Sequence, residues 1–547
     1  MSELFDTYSL SENQSEGWDD ANEFHTRLDS GIDRINSCLN LLEVNHDTRR
    51  DLQKTYTNTS NLPFDELGND VNIENVEEKE SLESNYSSKD KGIAWVMAIC
   101  ACLTKFSTWG SNASFGVFLN YYLDHQTFAN ATKYDYALIG GLVVFCAQFL
   151  APFAALAYKI IGFRLMMTIG VVLQTLGYIL ASFATELWQL YLTQGLLVGL
   201  SFVCIFIPAT LILPDYFDKY LSTAMGICVS GSGLGGLVFS LSLNSVIEKT
   251  GNQRWGLRMV GLVALVTALI PAVIMKPRIK SKLLFRETMT KDFIKQSFKL
   301  IFNFKLLSSY PILLISFWYA LASLGYIIML FSMASYARSV GLTPTEGSIL
   351  TSVINAAQIV GRPIMGLIAD SIGRNNLSTL VSAIITILIF AFWINAKSFA
   401  PLIAFAVLIG LLIGVGSTMA QSMASDALLD QDDLPAAWSG MNLLVGIFTL
   451  VAEVIALSLV DESISSPYLY TQIFAGSSFF VCLCLLLIVR EYLVRRKLKH
   501  KLKILKETVT DSIERVDDIT QTIDRLNFLL RAKVWAFCLR VIYPIRV

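Results

Sequence analysis

Charge is scarce in this sequence. Of 547 residues only 16% are Asp, Glu, Lys or Arg, whereas 53% are apolar and the mean hydropathy is +0.52. A soluble domain carries roughly a quarter of its residues as charges, so a water-soluble fold of this length is excluded. There are four histidines, and the nine cysteines include no pair at the spacing of a helical metal site, Cys100/Cys102 and Cys482/Cys484 being too close. Neither metal nor any other cofactor is expected. The net charge of −2 says little about partners, and no nucleic-acid partner is expected. No nucleophile stands with a base and an orienting group, so the chain does not read as an enzyme. No signal peptide precedes the apolar part; the first ninety residues are polar and read as a retained, largely disordered tail.

What is present is a series of apolar runs. A helix crossing a bilayer needs about 20 apolar residues, because each backbone N–H and C=O must be satisfied within the segment. Twelve runs qualify, at approximately 93–118, 137–158, 165–184, 187–212, 222–246, 257–275, 310–335, 347–369, 378–396, 400–425, 436–460 and 470–490. The chain is therefore expected to be an all-α membrane protein.

Cations concentrate in the connection between runs six and seven (Lys276, Arg278, Lys280, Lys282, Arg286, Lys291) and after the last run (Arg490, Arg495, Arg496, Lys497). The positive-inside bias then puts both tails in the cytoplasm. The organisation expected is a tail over 1–92, a six-helix half over 93–276, a basic linker over 277–309, a second half over 310–490 and an amphipathic tail over 491–547. None of the cysteines falls in a predicted outer loop, so no disulfide framework is implied. Two halves of six helices are the plan of transporters whose cargo binds at the midplane between pseudo-symmetric repeats.

Both tails carry a seven-residue apolar rhythm: Leu28, Ile32, Ile35, Leu39 and Leu42 in one, Val509, Ile513, Val516, Ile523, Leu526 and Leu530 in the other. Amphipathic helices on the bilayer surface and a pairing of the tails, within or between protomers, both fit that spacing. The stretch from Lys533 to Tyr543 suits an interfacial anchor. Asn130-Ala-Thr132 is a glycosylation sequon in the first predicted outer loop; those at Asn13, Asn58 and Asn85 are expected to be silent.

The most specific local motif is Gly366-Leu-Ile-Ala-Asp370-Ser-Ile-Gly373-Arg374, at the end of the eighth run. It resembles the G-x-L-A-D-x-x-G-R loop of the major facilitator superfamily. Its glycines allow close helix approach, and Asp370 and Arg374 would lock one access state. The corresponding stretch after run two, Ala155 to Arg164, has no aspartate. Two further stretches narrow the likeness. They are Asp90-Lys-Gly92-Ile-Ala-Trp95 with Phe106-Ser-Thr-Trp109-Gly110-Ser-Asn112, and Asp215-Tyr-Phe-Asp-Lys219 followed by Gly226 and Ser230-Gly-Ser-Gly233-Leu-Gly-Gly236. Together they resemble the monocarboxylate-porter branch, its fungal members above all, a riboflavin transporter among them. The resemblance spans roughly 90–490 and implies a major facilitator fold of twelve helices that moves a small organic anion by alternating access.

Departures from that family matter as much. Its proton-coupled members carry a lysine in helix 1 where this chain has Ala113, and an aspartate in helix 8 where this chain has Gln358, four residues before Arg362. The resemblance thus implies a proton relay that is dismantled here.

Read from the residues, a charge at the bilayer centre costs at least ~2.5–3.5 kcal/mol, which makes each one a functional candidate. Arg362 has a donor fork suited to a carboxylate. Lys105 lies near the middle of run one, eight residues before Ala113 and so on a different part of a regular helix. Glu453 in run eleven could couple a proton or neutralise a cation. Asn112, Gln148 and Gln358 are the amides expected to face a cavity, and Tyr326, Phe331 and Trp438 could stack on a planar cargo. The expected function is a plasma-membrane transporter of a small organic anion, a vacuolar membrane being the alternative location. The rival readings are a facilitator of a planar vitamin such as riboflavin and a non-transporting nutrient sensor that signals through its tails. The partners expected are a small-molecule substrate and the lipid bilayer.

Overall fold

A computed structural model describes residues 89–128, 131–278, 288, 290–428, 430–464, 466–511, 516–530, 539–540, 543 and 545. The N-tail repeat at Leu28–Leu42, the sequon asparagines Asn13, Asn58, Asn85 and Asn130, and most of the 533–543 stretch lie outside the described residues. Every regular element among the described residues is helical.

Eleven helices are long and apolar enough to cross a membrane, and a bent pair makes a twelfth span. In chain order, spans 1 to 6 are Ile93–Leu119, the pair Lys133–Phe149 and Ala151–Ile161, Phe163–Ala181, Leu187–Tyr216, Leu221–Thr250 and Gln253–Ile274. Spans 7 to 12 are Tyr310–Ser339, Thr345–Ile372, Arg374–Asn395, Phe399–Ala427, Gln431–Ser458 and Leu469–Leu505. The side on which span 1 begins is called here the near face, the other the far face. Span 2 bends by 52° between Phe149 and Ala151, just before Pro152. Proline at this place lacks the N–H that would bind the preceding turn.

Two halves show matching local chemistry at the far face. Span 2 starts on a capping box in which Thr132 and Asp135 satisfy each other, and span 8 starts on Thr343 and Glu346 in the same arrangement. Each box pairs two backbone N–H groups that the first helical turn leaves unbonded.

Span 5 is the hub between the halves, and its broadest seam is with span 8. Glycine makes this possible. A Cβ on Gly231 would lie 2.0 Å from the Cys102 carbonyl oxygen of span 1, and one on Gly226 would lie 2.4 Å from the Arg362 carbonyl oxygen of span 8. From the other side, a Cβ on Gly366 would lie 2.4 Å from Ser222 O. Span 11 packs on span 2 in a second seam, where Gly446 meets the backbone of Phe149 and Gly141 meets Leu450 O.

The linker forms a near-face helix at Lys291–Ile301, with Ser297 and Ile301 buried. The helix of span 12 does not stop where the apolar run ends but continues to Asp511, since Arg, Lys and Leu form helix as readily as apolar residues do. A following helix, Val516–Leu529, packs back on it and buries Leu526. Beyond it, Arg490 donates to the carbonyls of Arg540 and Tyr543 at 3.1 and 2.8 Å, and Arg540 pairs with Glu491 at 2.5 Å.

Candidate functional site

A cavity of about 290 Å³ lies between the halves, at the small end of ligand-binding cavities. Its floor is formed by Lys105, Trp109, Arg362 and Gly414. It reaches toward Asn244, Ser335 and Ser348 near the far ends of spans 5, 7 and 8. Asn112, Ala113 and Gln148 line it from the first half, Tyr319, Tyr326, Phe331 and Asn355 from the second.

Lys105 and Ala113 share this cavity, contrary to the expectation from helical geometry. Eight residues of regular helix turn about 800°, which leaves the two side chains ~80° apart. Span 1, however, contains a π-helical turn over Phe106–Gly110. Its i→i+5 bonding winds more slowly and closes that angle, so an ammonium from position 105 reaches the wall that position 113 would have served. The Lys105 Nζ sits 3.8 Å from the centre of the Phe206 ring and 5.0 Å from that of Trp109. It is 8% exposed, and among the described residues it has no carboxylate partner. Gln174 holds the π-turn by donating to Ser107 O at 2.6 Å.

Arg362 is 3% exposed. Its Nη1 donates to Val229 O at 2.6 Å and to Ser232 Oγ, both on span 5, and its Nη2 donates to Gln358 Oε1. Nε has no hydrogen-bond partner. Gln358 does not line the cavity; it sits behind the arginine, where its oxygen also accepts from Tyr326 OH at 3.3 Å. The cavity lining contains two cations and no Asp or Glu.

The motif residues sit together at the near face. Asp370 accepts from Ser222 N at 3.1 Å, from Thr223 N at 2.8 Å and from Thr223 Oγ1 at 2.7 Å, so the last turn of span 8 caps the first turn of span 5. Arg374 pairs with Asp426 of span 10 at 2.7 Å and donates to Ser222 Oγ at 2.9 Å. Gly373, with φ of 105°, makes the sharp break between spans 8 and 9 that sets Arg374 in this position. One layer above, Gln421 donates to Thr210 O at 2.9 Å and Trp438 to Thr210 Oγ1 at 3.2 Å. Trp438 stacks on Tyr319 with ring centres 5.9 Å apart, below the cavity rather than in its wall. The near face is thus sealed across the halves while the cavity extends toward the far face. Asp90 accepts the backbone N–H groups of Asp218, Lys219 and Tyr220, and Trp95 packs edge-on against Phe217, which joins the two stretches that carried the sequence resemblance.

Glu453 is buried in the seam of spans 2 and 11, with no hydrogen bond or ion pair to any described residue. A Cβ on Gly140 would come within 3.4 Å of its Oε1. It stands one turn beyond Thr449, which does line the cavity, and does not line it itself.

Sequence reasoning passed over Tyr319, Ser232 and Phe206. Tyr319 had a signal, since it is seven residues, or two turns, before Tyr326 and so on the same helix face. Phe206, which reaches Lys105 from span 4, had none.

A family match, described as Major Facilitator Superfamily, covers residues 97–337 and 313–543. Among curated relatives, the "Uncharacterized transporter ESBP6" of Saccharomyces cerevisiae is 40% identical over 84% of this chain and 69% of its own length. The "Probable transporter MCH2" of the same yeast is 32% identical over 75% of this chain and 86% of its own. The "Aspyridones efflux protein apdF" of Emericella nidulans is 28% identical over 70% of this chain and 75% of its own.

Proposed function

Because this chain belongs to the major facilitator superfamily and is a multi-pass membrane transporter, we propose that its cargo is a small organic anion of monocarboxylate type, moved by alternating access. The observation that carries this reading is the pair Lys105 and Arg362 facing one cavity without an acidic residue in its lining. Two like charges in a low-dielectric site repel each other, and an anion bound between them removes both the repulsion and part of the desolvation cost. Arg362 would take the carboxylate on the second half and Lys105 on the first, with Asn112, Gln148 and Tyr326 as hydrogen-bond partners. Gly366, Asp370, Gly373 and Arg374 would form the near-face gate.

The near face is assigned to the cytoplasm on the basic residues at Lys276, Arg278 and Arg495–Lys497, and the membrane to the plasma membrane. Glu453 is the coupling candidate, as a buried acid one turn from the cavity lining. Tail-mediated self-association keeps the heptad spacing of Leu28–Leu42 as its support, since Leu526 of the other tail is covered by its own chain.

A second reading, a planar vitamin such as riboflavin, is favoured by the aromatic share of the lining: Trp109, Tyr319, Tyr326 and Phe331. Uptake of radiolabelled pyruvate, benzoate and riboflavin into proteoliposomes separates the two. The anion reading expects benzoate or pyruvate uptake that disappears in Arg362→Ala and in Lys105→Gln. Riboflavin uptake indifferent to both substitutions would replace it with the second reading.

A further inference from the structure

We propose that Arg362 is a latch between the two halves, and that the cargo anion itself releases it. The guanidinium belongs to span 8, yet Nη1 spends its hydrogen bonds on span 5, at Val229 O and Ser232 Oγ. The tie therefore crosses the seam that must open when the near face opens, and it does so in mid-membrane, above the Asp370 and Arg374 contacts.

The acceptors are weak competitors. Val229 O already serves the helix of span 5 and also accepts from Ser232 Oγ at 3.0 Å, so the arginine shares an occupied carbonyl. Both acceptors are neutral. A carboxylate presents two charged oxygens matched to the guanidinium fork, and such charge-assisted bonds are about twice as strong as neutral ones. Arg362 also has spare capacity, because Nε has no partner. Gly414 supplies the room: a Cβ there would stand 2.5 Å from Nε. Gln358, held by Tyr326, keeps the fork oriented from behind without supplying a charge that would outbid the cargo.

An anion arriving on the cavity floor pairs with the guanidinium and takes Nη1 away from Val229 O and Ser232 Oγ of span 5. The seam then loses its mid-membrane tie, and only the near-face contacts remain to hold it. The empty carrier stays shut at the near face; the loaded one is free to open there. Movement of the halves becomes conditional on occupancy through one side chain, and Ser232 is the positioning residue on the opposite half. The tie itself stands on geometry alone, whereas its release rests on the anionic cargo proposed above.

Hydrogen–deuterium exchange of the full chain in lipid nanodiscs tests both steps. Without ligand, Ser232→Ala is expected to raise exchange several-fold at the near-face ends of spans 5 and 8 and not at the far-face ends of spans 2 and 7. Ser232→Thr, which keeps the hydroxyl, restores the original protection. Benzoate added to the unmodified protein is expected to raise the same near-face segments to the level of Ser232→Ala. Wild-type exchange in Ser232→Ala, or a rise spread evenly over both faces, overturns the latch. Near-face loosening in Ser232→Ala with no response to benzoate in a protein that binds benzoate overturns the release step, and absence of benzoate binding overturns the anionic reading instead.

Discussion

Thr223 and Asp370 are joined twice across the seam of spans 5 and 8, by the Thr223 N–H at 2.8 Å and its hydroxyl at 2.7 Å, both on Asp370 Oδ2. A carboxylate here does two jobs. It satisfies N–H groups that the first turn of span 5 leaves unbonded, and it places negative charge at the positive end of that helix. Both favour the closed near face alone, since they vanish when the halves part. Asp370→Ala should therefore shift the closed state by about 2–4 kcal/mol, from bonds to a charged group plus the helix-end term. Exchange protection over residues 221–226 should fall strongly in Asp370→Ala and only partly in Asp370→Asn. Native protection in the alanine variant would mean that the motif does not hold the gate.

Lys105 should separate binding from packing. Removing its charge with Lys105→Gln is expected to weaken benzoate binding about ten- to hundredfold, in line with ~1.5–3 kcal/mol for bonds to a charged group. Phe206→Leu leaves the charge but removes the ring beneath it, a cation–π contact of about 0.5–2 kcal/mol. That variant should lose thermal stability more than affinity. Calorimetric titration and melting of the same two preparations check the split; an equal loss of affinity in both would place the lysine's role in packing.

Much of the scaffold was legible because lipid imposes a simple rule. Satisfying the backbone demands long apolar helices, and the runs around 93–118 or 470–490 stand out for that reason alone. The near-face cluster was legible too, since Gly366, Asp370 and Arg374 are close in sequence and their chemistry is local. The cavity was legible only in part. Arg362, Asn112, Gln148 and Tyr326 reach it as expected, but Lys105 does so through a π-turn that no periodicity announces. Glu453 stood out by its charge in an apolar run, but its place one turn beyond the cavity lining depends on packing against span 2. Of the two roles open to Trp438, stacking on a cargo or packing in the core, the structure shows packing, held by Thr210 more than two hundred residues away in the chain. The caps at Thr132 and Thr343, which the sequence reading passed over, follow a Thr-x-x-acid pattern and mark equivalent helices of the two halves.

Gln358 predicts how transport responds to pH. Its amide does not ionise, yet it occupies the place from which Arg362 is oriented. Gln358→Asp would set an ionisable acceptor there. At alkaline pH the ionised carboxylate would pair with Arg362 and compete with the cargo; at acid pH its protonation would free the fork. Uptake by Gln358→Asp should thus be low at alkaline pH and rise on acidification, while the unmodified protein shows a shallower dependence. Glu453→Gln should remove what pH dependence the unmodified protein has. Proteoliposome uptake at a series of external pH values reads both, and a steep acid response that survives Glu453→Gln would refute this assignment.

The sequon at Asn130 tests which side is which. Its threonine, Thr132, begins span 2 at the far face. If that face is extracytoplasmic, Asn130→Gln abolishes an endoglycosidase-sensitive shift in gel mobility, whereas substitutions at Asn13, Asn58 and Asn85 change nothing. A shift lost on substituting any of those three would invert the topology.

Glycine at the hub of the fold gives the sharpest stability contrast. A Cβ on Gly231 would come 2.0 Å from Cys102 O and 3.0 Å from Phe106 N, backbone atoms that cannot rotate away. Gly231→Ala must therefore push span 1 off span 5, and overpacking of this kind costs about 1–3 kcal/mol or more. Gly116, on span 1, is the control, because a Cβ there meets nothing within 4 Å. In that open position alanine favours the helix by up to about 1 kcal/mol over glycine. Melting of the purified proteins, followed by size-exclusion after heating, should rank Gly116→Ala at or above the original chain and Gly231→Ala well below it. Equal melting of the two variants would mean that spans 1 and 5 are not in the contact described, and the π-turn that brings Lys105 to the cavity would lose its support with it.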